Sequence, residues 1–263
     1  MVKIIAFDLD GTLYDKHKHI DEDTIHKIID FEQKGIVVGI VTGRFYEELG
    51  EVIEKIKLRE YNGFVASSNG LEIHDFLDGE IRRFSRLSKD EVKEAKKHHL
   101  VSYVWQNGGY TMFGVSILDV VKKIFSLIPL DLHYIKSLQK TKFEKDVVLN
   151  EALYDKVCFV GFQIKKMYLE YRFYDVGKFG TELCKKDVGK LEAIRYICQK
   201  KQVSIFDVMA FGDHGNDVDL LASCGYGVAI KNGSAQAKKA AKYISDYANN
   251  EQGVLRFINS FFV

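Results

Sequence analysis

The sequence has little proline, few cysteines and no long hydrophobic segment. Its 263 residues contain one proline, Pro129, and four widely spaced cysteines, Cys158, Cys184, Cys198 and Cys224, with no C-x-x-C pair. This spacing disfavours a zinc site and a disulfide framework, so we expect reduced, mostly buried thiols. No apolar run approaches the roughly 18 residues needed to cross a bilayer. A membrane-spanning protein is therefore not predicted.

A strong excess of charge of either sign is also missing. The formal net charge is +1 at pH 7, which disfavours non-specific binding to nucleic acid. The apolar start of the chain is interrupted at Asp8 and Asp10, too early for a signal peptide. We therefore expect a globular, cytoplasmic protein that acts on a small molecule, with no nucleic-acid or membrane partner. The sequence does not predict an oligomeric state.

The chain begins with alternating strand and helix patterns. Short apolar runs predict buried parallel strands at Ile4–Phe7, 36–41 and 63–67. The helices between them carry apolar residues at helical spacing, and Asp21 or Asp23 is suited to cap the first helix. A hairpin is predicted over 71–84. This order favours an α/β fold with a Rossmann-like parallel sheet.

The middle of the chain has a different pattern. A hairpin is predicted around Asn107-Gly108-Gly109, a helix is predicted over 120–127, and further strands follow. The strand and helix alternation returns near Lys190. We therefore predict an inserted α+β cap domain over 86–180, with 1–85 and 181–263 forming one core domain.

Two carboxylates follow the first strand. In an open parallel sheet, ligands bind at the carboxyl ends of the strands. Asp8 and Asp10 are two residues apart, so they are predicted to converge on one site. The alternative is that both are loop acids that support a turn or cap a helix.

Other polar groups occupy comparable positions after later strands. A cluster of carboxylates favours a hard cation such as Mg²⁺. A hydroxyl, a free backbone N–H and an ammonium are donors suited to a phosphoryl group. A remaining carboxylate can be a nucleophile, so these groups together predict phosphoryl transfer through a phospho-aspartate. The polar residues that supply these groups are Thr42-Gly43, Lys190, Asp213 and Asn216-Asp217.

Four segments in order resemble the motifs of the haloacid dehalogenase-like (HAD) phosphatases, and in particular the Cof-type branch with a type IIB cap. They are DLDGTL at 8–13, TGR at 42–44, DVGKLEAI around Lys190 and GDHGND at 212–217. A later segment, GVAIKNG at 227–233, is similar to the G-V-A-M-G-N-A of that branch. The insert matches by position and length more than by sequence.

The resemblance implies specific roles. Asp8 would attack phosphorus, Asp10 would act as general acid and then general base, and Lys190 would neutralise charge on the phosphoryl group. The implied Mg²⁺ site comprises Asp8, Asp10 through its backbone carbonyl, Asp213, Asn216 and Asp217. Asp217 has the alternative of capping its short helix.

Substrate binding is implied for Thr42, Gly43, Arg44 and Asn69. Thr42 could instead cap the following helix, Arg44 could form a local salt bridge, and Asn69 could belong to a simple turn. Two residues depart from the family pattern: His214 replaces a small residue and Lys231 replaces a glycine. These departures affect the prediction of substrate rather than of the reaction.

The resulting hypothesis is a Mg²⁺-dependent phosphatase for a small phosphorylated metabolite, such as a sugar phosphate. A phosphomutase and a non-catalytic regulator that binds a phosphorylated ligand are the alternatives. The presence of both Asp8 and Asp10 disfavours the regulator. A nucleotide-binding dehydrogenase is poorly supported because no glycine-rich fingerprint follows the first strand.

Overall fold

The computed structural model describes residues 1–97, 101–106, 109–114, 142–144, 153–160, 171–176 and 180–262. The chain divides into two compact units. The first comprises Met1–Phe84 and Asp187–Val263, and the second comprises Ser85–Lys186. None of the helices described here is long and apolar enough to cross a bilayer.

Sixteen strands and seven helices are described. The strands are β1 Ile4–Phe7, β2 Val37–Val41, β3 Phe64–Ser67, β4 Glu72–Asp75, β5 Ile81–Arg83, β6 Leu87–Ser88, β7 Val101–Gln106, β8 Gly109–Gly114, β9 Lys142–Glu144, β10 Leu153–Tyr154, β11 Lys156–Val160, β12 Tyr171–Val176, β13 Gly180–Lys185, β14 Val208–Gly212, β15 Tyr226–Ala229 and β16 Tyr243–Ile244. The helices are α1 Glu22–Gln33, α2 Gly50–Lys55, α3 Lys89–Lys97, α4 Lys190–Lys201, α5 Val218–Ser223, α6 Ala235–Ala240 and α7 Gly253–Phe261.

The first unit is built on one sheet, with strand order β16-β15-β14-β1-β2-β3-β4-β5. Neighbours from β16 to β3 are parallel, whereas β4 pairs antiparallel with β3 and with β5. The hairpin predicted over 71–84 is therefore confirmed. Because β1 lies between β14 and β2, the ends of these three strands meet at one edge of the sheet.

Strand β1 is buried on both faces, which explains its uninterrupted apolar sequence. Ile5 and Phe7 pack on one face with residues of α1, α2 and α7. Ile4 and Ala6 pack on the other face with residues of α4, α5 and α6. Helices cover both faces of a mainly parallel sheet, so the predicted Rossmann-like α/β fold is confirmed.

The second unit combines strands in hairpins with α3. Its larger sheet has the order β12-β13-β11-β7-β8-β9, and β6 pairs with β10. Strands β7 and β8 form the hairpin expected around residue 107. The helix predicted over 120–127 lies outside the described residues.

The predicted return to the first domain at residue 181 needs correction. Residues Gly180–Lys185 form β13, which pairs antiparallel with β11 and β12, so this segment belongs to the second unit. The return occurs at Asp187. The error arose because the sequence does not show which partner an apolar strand will pair with.

The side chains of three of the four cysteines are described. Cys184, Cys198 and Cys224 are buried free thiols. The prediction of reduced, buried thiols is therefore confirmed for these residues. The side chain of Cys158 lies outside the described part of the chain.

Helix α1 contains one buried acid that has no role in the predicted site. Asp21 caps the helix by accepting a hydrogen bond from the Thr24 N–H at 3.0 Å, as one of the two predicted alternatives. Near the other end of the helix, Glu32 is buried, and neither carboxylate oxygen has a hydrogen-bond partner within the described chain. Burial raises the pKa of Glu32 to about 8; the charge of Glu60 adds to this effect and that of Lys57 opposes it.

We expect Glu32 to make stability depend on pH. Its pKa in the folded protein is above the ordinary value of 4.5, so its favourable contribution is complete below about pH 4.5 and is lost as the pH rises through about 8. Glu32→Gln should therefore be more stable than wild type at pH 9 by about 2 kcal/mol or more, with a smaller difference at pH 6. Urea unfolding at pH 6 and pH 9 measures the difference in free energy of unfolding between the two proteins. Glu47→Gln, at an exposed position, is the control, and a pH-independent difference for Glu32→Gln would contradict the assignment.

Candidate active site

The predicted site residues follow neighbouring strands of the central sheet. Asp8 comes directly after β1, Thr42 after β2 and Asp213 after β14. These strands are adjacent and parallel, so their carboxyl ends bring the three residues to the same edge. Helix α4 contributes Lys190 as its first residue.

A buried ammonium joins two of the carboxylates. Lys190 Nζ donates to Asp8 Oδ1 at 2.6 Å and to Asp217 Oδ1 at 2.7 Å. Lys190 and Asp217 are completely buried, and Asp8 is 6% exposed. Burial lowers the pKa of Lys190, but the carboxylates of Asp217 and Asp8 outweigh this effect and hold it above its usual value. The lysine is therefore a fixed positive charge beside Asp8.

Asp217 is held through both of its carboxylate oxygens. Oδ1 accepts from Lys190, while Oδ2 accepts from the backbone N–H groups of Asp213 and His214, each at 3.0 Å. Asp217 thus orients the lysine and shapes the loop that carries Asp213. With both oxygens engaged, this geometry favours a positioning role for Asp217 over direct contact with a metal ion.

Three carboxylates lie close enough to bind one cation. One oxygen from each of Asp8, Asp213 and Asp217 lies within 4.8 Å of the others. Burial raises the pKa of Asp8. The charge of Lys190 opposes this increase, and the charges of Asp217 and Asp213 add to it. Burial and the charge of Asp217 also raise the pKa of Asp213, to about 6. A divalent cation would relieve this repulsion, and carboxylate oxygens are the donors that hard cations prefer. Asp8 and Asp213 therefore fit such an ion, with Asp217 beside them.

Gly11 allows the loop formed by residues 8–14 to pass close to Asp213. Its φ is +82°, and a Cβ at this position would lie 2.3 Å from Asp213 Oδ2. Any other residue would be strained in this backbone conformation and would also collide with the carboxylate. The glycine after Asp10 is therefore required by the packing of the site.

Asp10 is paired with Arg44. The Arg44 guanidinium donates to both carboxylate oxygens of Asp10, with Nε at 2.6 Å from Oδ2. It also lies over the Tyr14 ring, 5.3 Å from the ring centroid. The Asp10 side chain is 53% exposed. The salt bridge considered as the alternative for Arg44 is thus present, and it involves a predicted catalytic residue.

Thr42 and Asn69 belong to two loops that are joined by backbone hydrogen bonds. The Asn69 N–H donates to the Thr42 carbonyl at 2.8 Å, and the Ser68 N–H donates to the Arg44 carbonyl at 2.7 Å. The Thr42 hydroxyl accepts from the Arg44 N–H at 3.2 Å. It does not cap the following 3-10 turn, whose N-cap is Phe45.

Asn69 also connects this pair of loops to a third. Its φ is 56°, a left-handed conformation that asparagine tolerates better than most residues. Its Oδ1 accepts from Asn216 Nδ2 at 2.9 Å, and a Cβ on Gly43 would approach the same oxygen to 3.3 Å. This linking role of Asn69 and Asn216 was not predicted. The Asn-Gly dipeptide indicated the backbone conformation but not the partner.

Comparison with known proteins identifies the family. The sequence-family model of the haloacid dehalogenase-like hydrolases matches residues 5–258 of this chain. The chain is 28% identical over 260 residues to 5-amino-6-(5-phospho-D-ribitylamino)uracil phosphatase YcsE of Bacillus subtilis, covering 98% of this chain and 94% of that protein. It is 24% identical to the phosphoglycolate phosphatase of Methanothermobacter thermautotrophicus, covering 99% of each.

A solved structure shares the fold. The HAD subclass IIB sugar phosphatase BT4131 is 20% identical, with a TM-score of 0.75 over 99% of both chains. At this identity the likeness concerns the fold alone, whereas the family model covers nearly the whole sequence. The chain therefore belongs to the haloacid dehalogenase-like hydrolase family, and it is an enzyme of the phosphatase type.

Proposed function

We propose that this protein is a Mg²⁺-dependent phosphatase that hydrolyses a small phosphorylated metabolite through a phospho-aspartate on Asp8. The observation that carries the proposal is the buried ammonium of Lys190 in contact with Asp8, beside the carboxylate of Asp213. The proposed nucleophile, a fixed positive charge and three carboxylates suited to a cation therefore lie close together. This combination suits a reaction whose catalysis depends mainly on positioning and charge neutralisation.

Two in-line displacements account for the hydrolysis. A carboxylate oxygen of Asp8 forms a bond to phosphorus while the bond to the alcohol oxygen breaks, and Asp10 donates a proton to that oxygen. Asp10 then takes a proton from water as the water oxygen attacks phosphorus, and the bond to Asp8 breaks. Inorganic phosphate and the free alcohol are the products, and both aspartates return to their initial state.

The other residues are proposed to bind the phosphoryl group and to position Asp10, the general acid. Lys190 reduces the negative charge that accumulates on the phosphoryl oxygens, and we assign Thr42 and the Gly43 N–H as further donors. The Arg44 guanidinium holds Asp10 through both of its carboxylate oxygens. Arg44 is therefore proposed to position Asp10, and its own contact with substrate stays a prediction.

The proposed Mg²⁺ ligands are the carboxylates of Asp8 and Asp213 and the backbone carbonyl of Asp10, with Asn216 and Asp217 supporting them. When bound, the ion would neutralise the carboxylates and polarise the phosphoryl group. The engagement of both Asp217 oxygens supports its place among the supporting residues.

The second unit, Ser85–Lys186, is proposed to act as a cap that selects the leaving group and excludes water. Similarity to the phosphatases named for 5-amino-6-(5-phospho-D-ribitylamino)uracil and for phosphoglycolate supports a small phosphorylated metabolite. Sugar phosphates are the first class that we propose to test. Buried free thiols support a cytoplasmic location.

Removal of divalent cations should abolish activity and change stability. With an aryl phosphate as substrate, EDTA should lower phosphate release by at least about 10²-fold, and excess Mg²⁺ should restore it. Mg²⁺ at about one hundred times its Kd should also stabilise the protein by about 2.7 kcal/mol, measured by thermal unfolding. Asp213→Asn should lose this stabilisation, whereas Asp23→Asn, at an exposed position in α1, should keep it.

Full activity in EDTA, or equal stabilisation of Asp213→Asn by Mg²⁺, would contradict the proposed metal site. A panel of phosphorylated metabolites then identifies the substrate. Product analysis separates hydrolysis, which releases inorganic phosphate, from a mutase reaction, which returns an isomerised phosphate ester.

A further inference from the structure

Two asparagines outside the predicted site hold the loop that carries Asp10. Asn232 Nδ2 donates to the Gly11 carbonyl at 2.8 Å. Asn249 Nδ2 donates to the Tyr14 carbonyl at 2.7 Å, and the Asn249 N–H donates to Asn232 Oδ1 at 2.9 Å. The pair thus binds the loop at two carbonyls, and Asn249 orients the side chain of Asn232.

The segment that carries Asn232 also contacts the Asp213 loop. The Ser234 N–H donates to the Asp213 carbonyl at 2.7 Å, and a Cβ on Gly233 would lie 3.1 Å from the same carbonyl oxygen. Residues 230–234 therefore connect the Asp10 loop to the Asp213 loop. This connection fixes the separation of the two loops independently of their own side chains.

The two asparagine contacts reach Asp10 by different routes. Gly11 follows Asp10 directly, so holding its carbonyl restricts the backbone next to the acid. Tyr14 supplies the ring beneath Arg44, and Arg44 holds the Asp10 carboxylate. An isolated β-bridge between the backbones of Asp10 and Tyr14 closes the loop. Movement of the Gly11 or Tyr14 carbonyl would therefore displace the carboxyl group from which Asp10 delivers its proton.

We infer that Asn232 and Asn249 are positioning residues for the acid step of Asp10. This inference rests on the proposed function. Asn232 is exposed and Asn249 is partly buried, so water can replace their hydrogen bonds and the variants should fold. Their effect should appear in the geometry of proton transfer, because a displacement of 1 Å can cost about 10²-fold in rate.

Leaving-group dependence tests this inference. An alkyl phosphate needs protonation of its leaving oxygen, whereas an aryl phosphate with an acidic phenol leaves with little assistance. Asn232→Ala and Asn249→Ala should lower kcat/KM for an alkyl phosphate by about 10- to 100-fold, and for an aryl phosphate by less than about threefold. kcat/KM is chosen because it reports the steps up to departure of the leaving group.

Asn250→Ala is the matched control, because Asn250 is an exposed neighbour with no side-chain hydrogen bond to the described residues. This substitution should leave kcat/KM unchanged for both the alkyl and the aryl phosphate. Asn249→Asp keeps the size of the side chain but removes the donor to Tyr14, so it should behave as Asn249→Ala does. Thermal unfolding of each variant confirms that it is folded.

Equal losses on the alkyl and aryl esters, or losses no larger than those of Asn250→Ala, would overturn the positioning role. A wild-type protein that hydrolyses neither ester in the presence of Mg²⁺ would instead overturn the proposed function. The two failures are therefore distinguishable within one set of assays.

Discussion

Asp8→Asn is expected to abolish phosphatase activity and leave the protein folded. An amide cannot form the phospho-aspartate, so kcat should fall by at least about 10⁴-fold. The fold should survive because Lys190 keeps its ion pair with Asp217. Burial and two neighbouring carboxylates raise the pKa of Asp8, so its ionised form is disfavoured, and the variant without metal should be at least as stable as wild type. Steady-state kinetics and thermal unfolding measure both effects.

Asp23→Asn is the control for this substitution. It removes one negative charge at an exposed position and should change neither activity nor unfolding temperature beyond small surface effects. An Asp8→Asn protein that keeps more than a trace of activity would contradict the assignment of the nucleophile. An unfolded Asp8→Asn protein would contradict the claim that Asp217 is sufficient to pair with Lys190.

Lys190→Met is expected to destabilise the protein strongly as well as inactivate it. The substitution leaves Asp8 and Asp217 buried without their shared ammonium, and breaking a buried ion pair in this way typically costs about 3–5 kcal/mol. Chemical denaturation in the absence of divalent cations measures the loss. Mg²⁺ should recover part of the stability, since it supplies positive charge to the same carboxylates.

Two comparisons isolate the charge from the loss of packing. Lys239→Met, at an exposed position on α6, should have little effect on stability. The double variant Lys190→Met/Asp217→Asn should be less unstable than the sum of its single variants, because one unpaired carboxylate has been removed. A Lys190→Met protein as stable as Lys239→Met would show that the ammonium does not hold the two carboxylates.

The core of the fold could be predicted because its sequence signals are local. Strand β1 is apolar on both faces and is closed by acids, so its burial and its end were evident without any partner. Pairing depends on distant residues. Strand β13 was therefore assigned to the wrong unit, and the two-residue strand β16 was not predicted at all.

The same distinction applies to the site. Asp8, Lys190 and Asp213 lie at the ends or beginnings of regular elements and follow recognisable motifs, so their proximity was predicted. The contacts Asp10–Arg44, Asn69–Asn216 and Asn249–Tyr14 join residues 34, 147 and 235 positions apart. No local pattern specifies such pairs, since each depends on how loops from separate strands fold over the edge of the sheet.

The stereochemical course at phosphorus tests the covalent mechanism most directly. A phosphorothioate ester made chiral with oxygen isotopes can be hydrolysed in isotopically labelled water, and the configuration of the released thiophosphate determined. Two in-line displacements, with Asp8 as the first nucleophile, predict overall retention. Inversion would show that water attacks the substrate directly, and it would contradict the phospho-aspartate on Asp8.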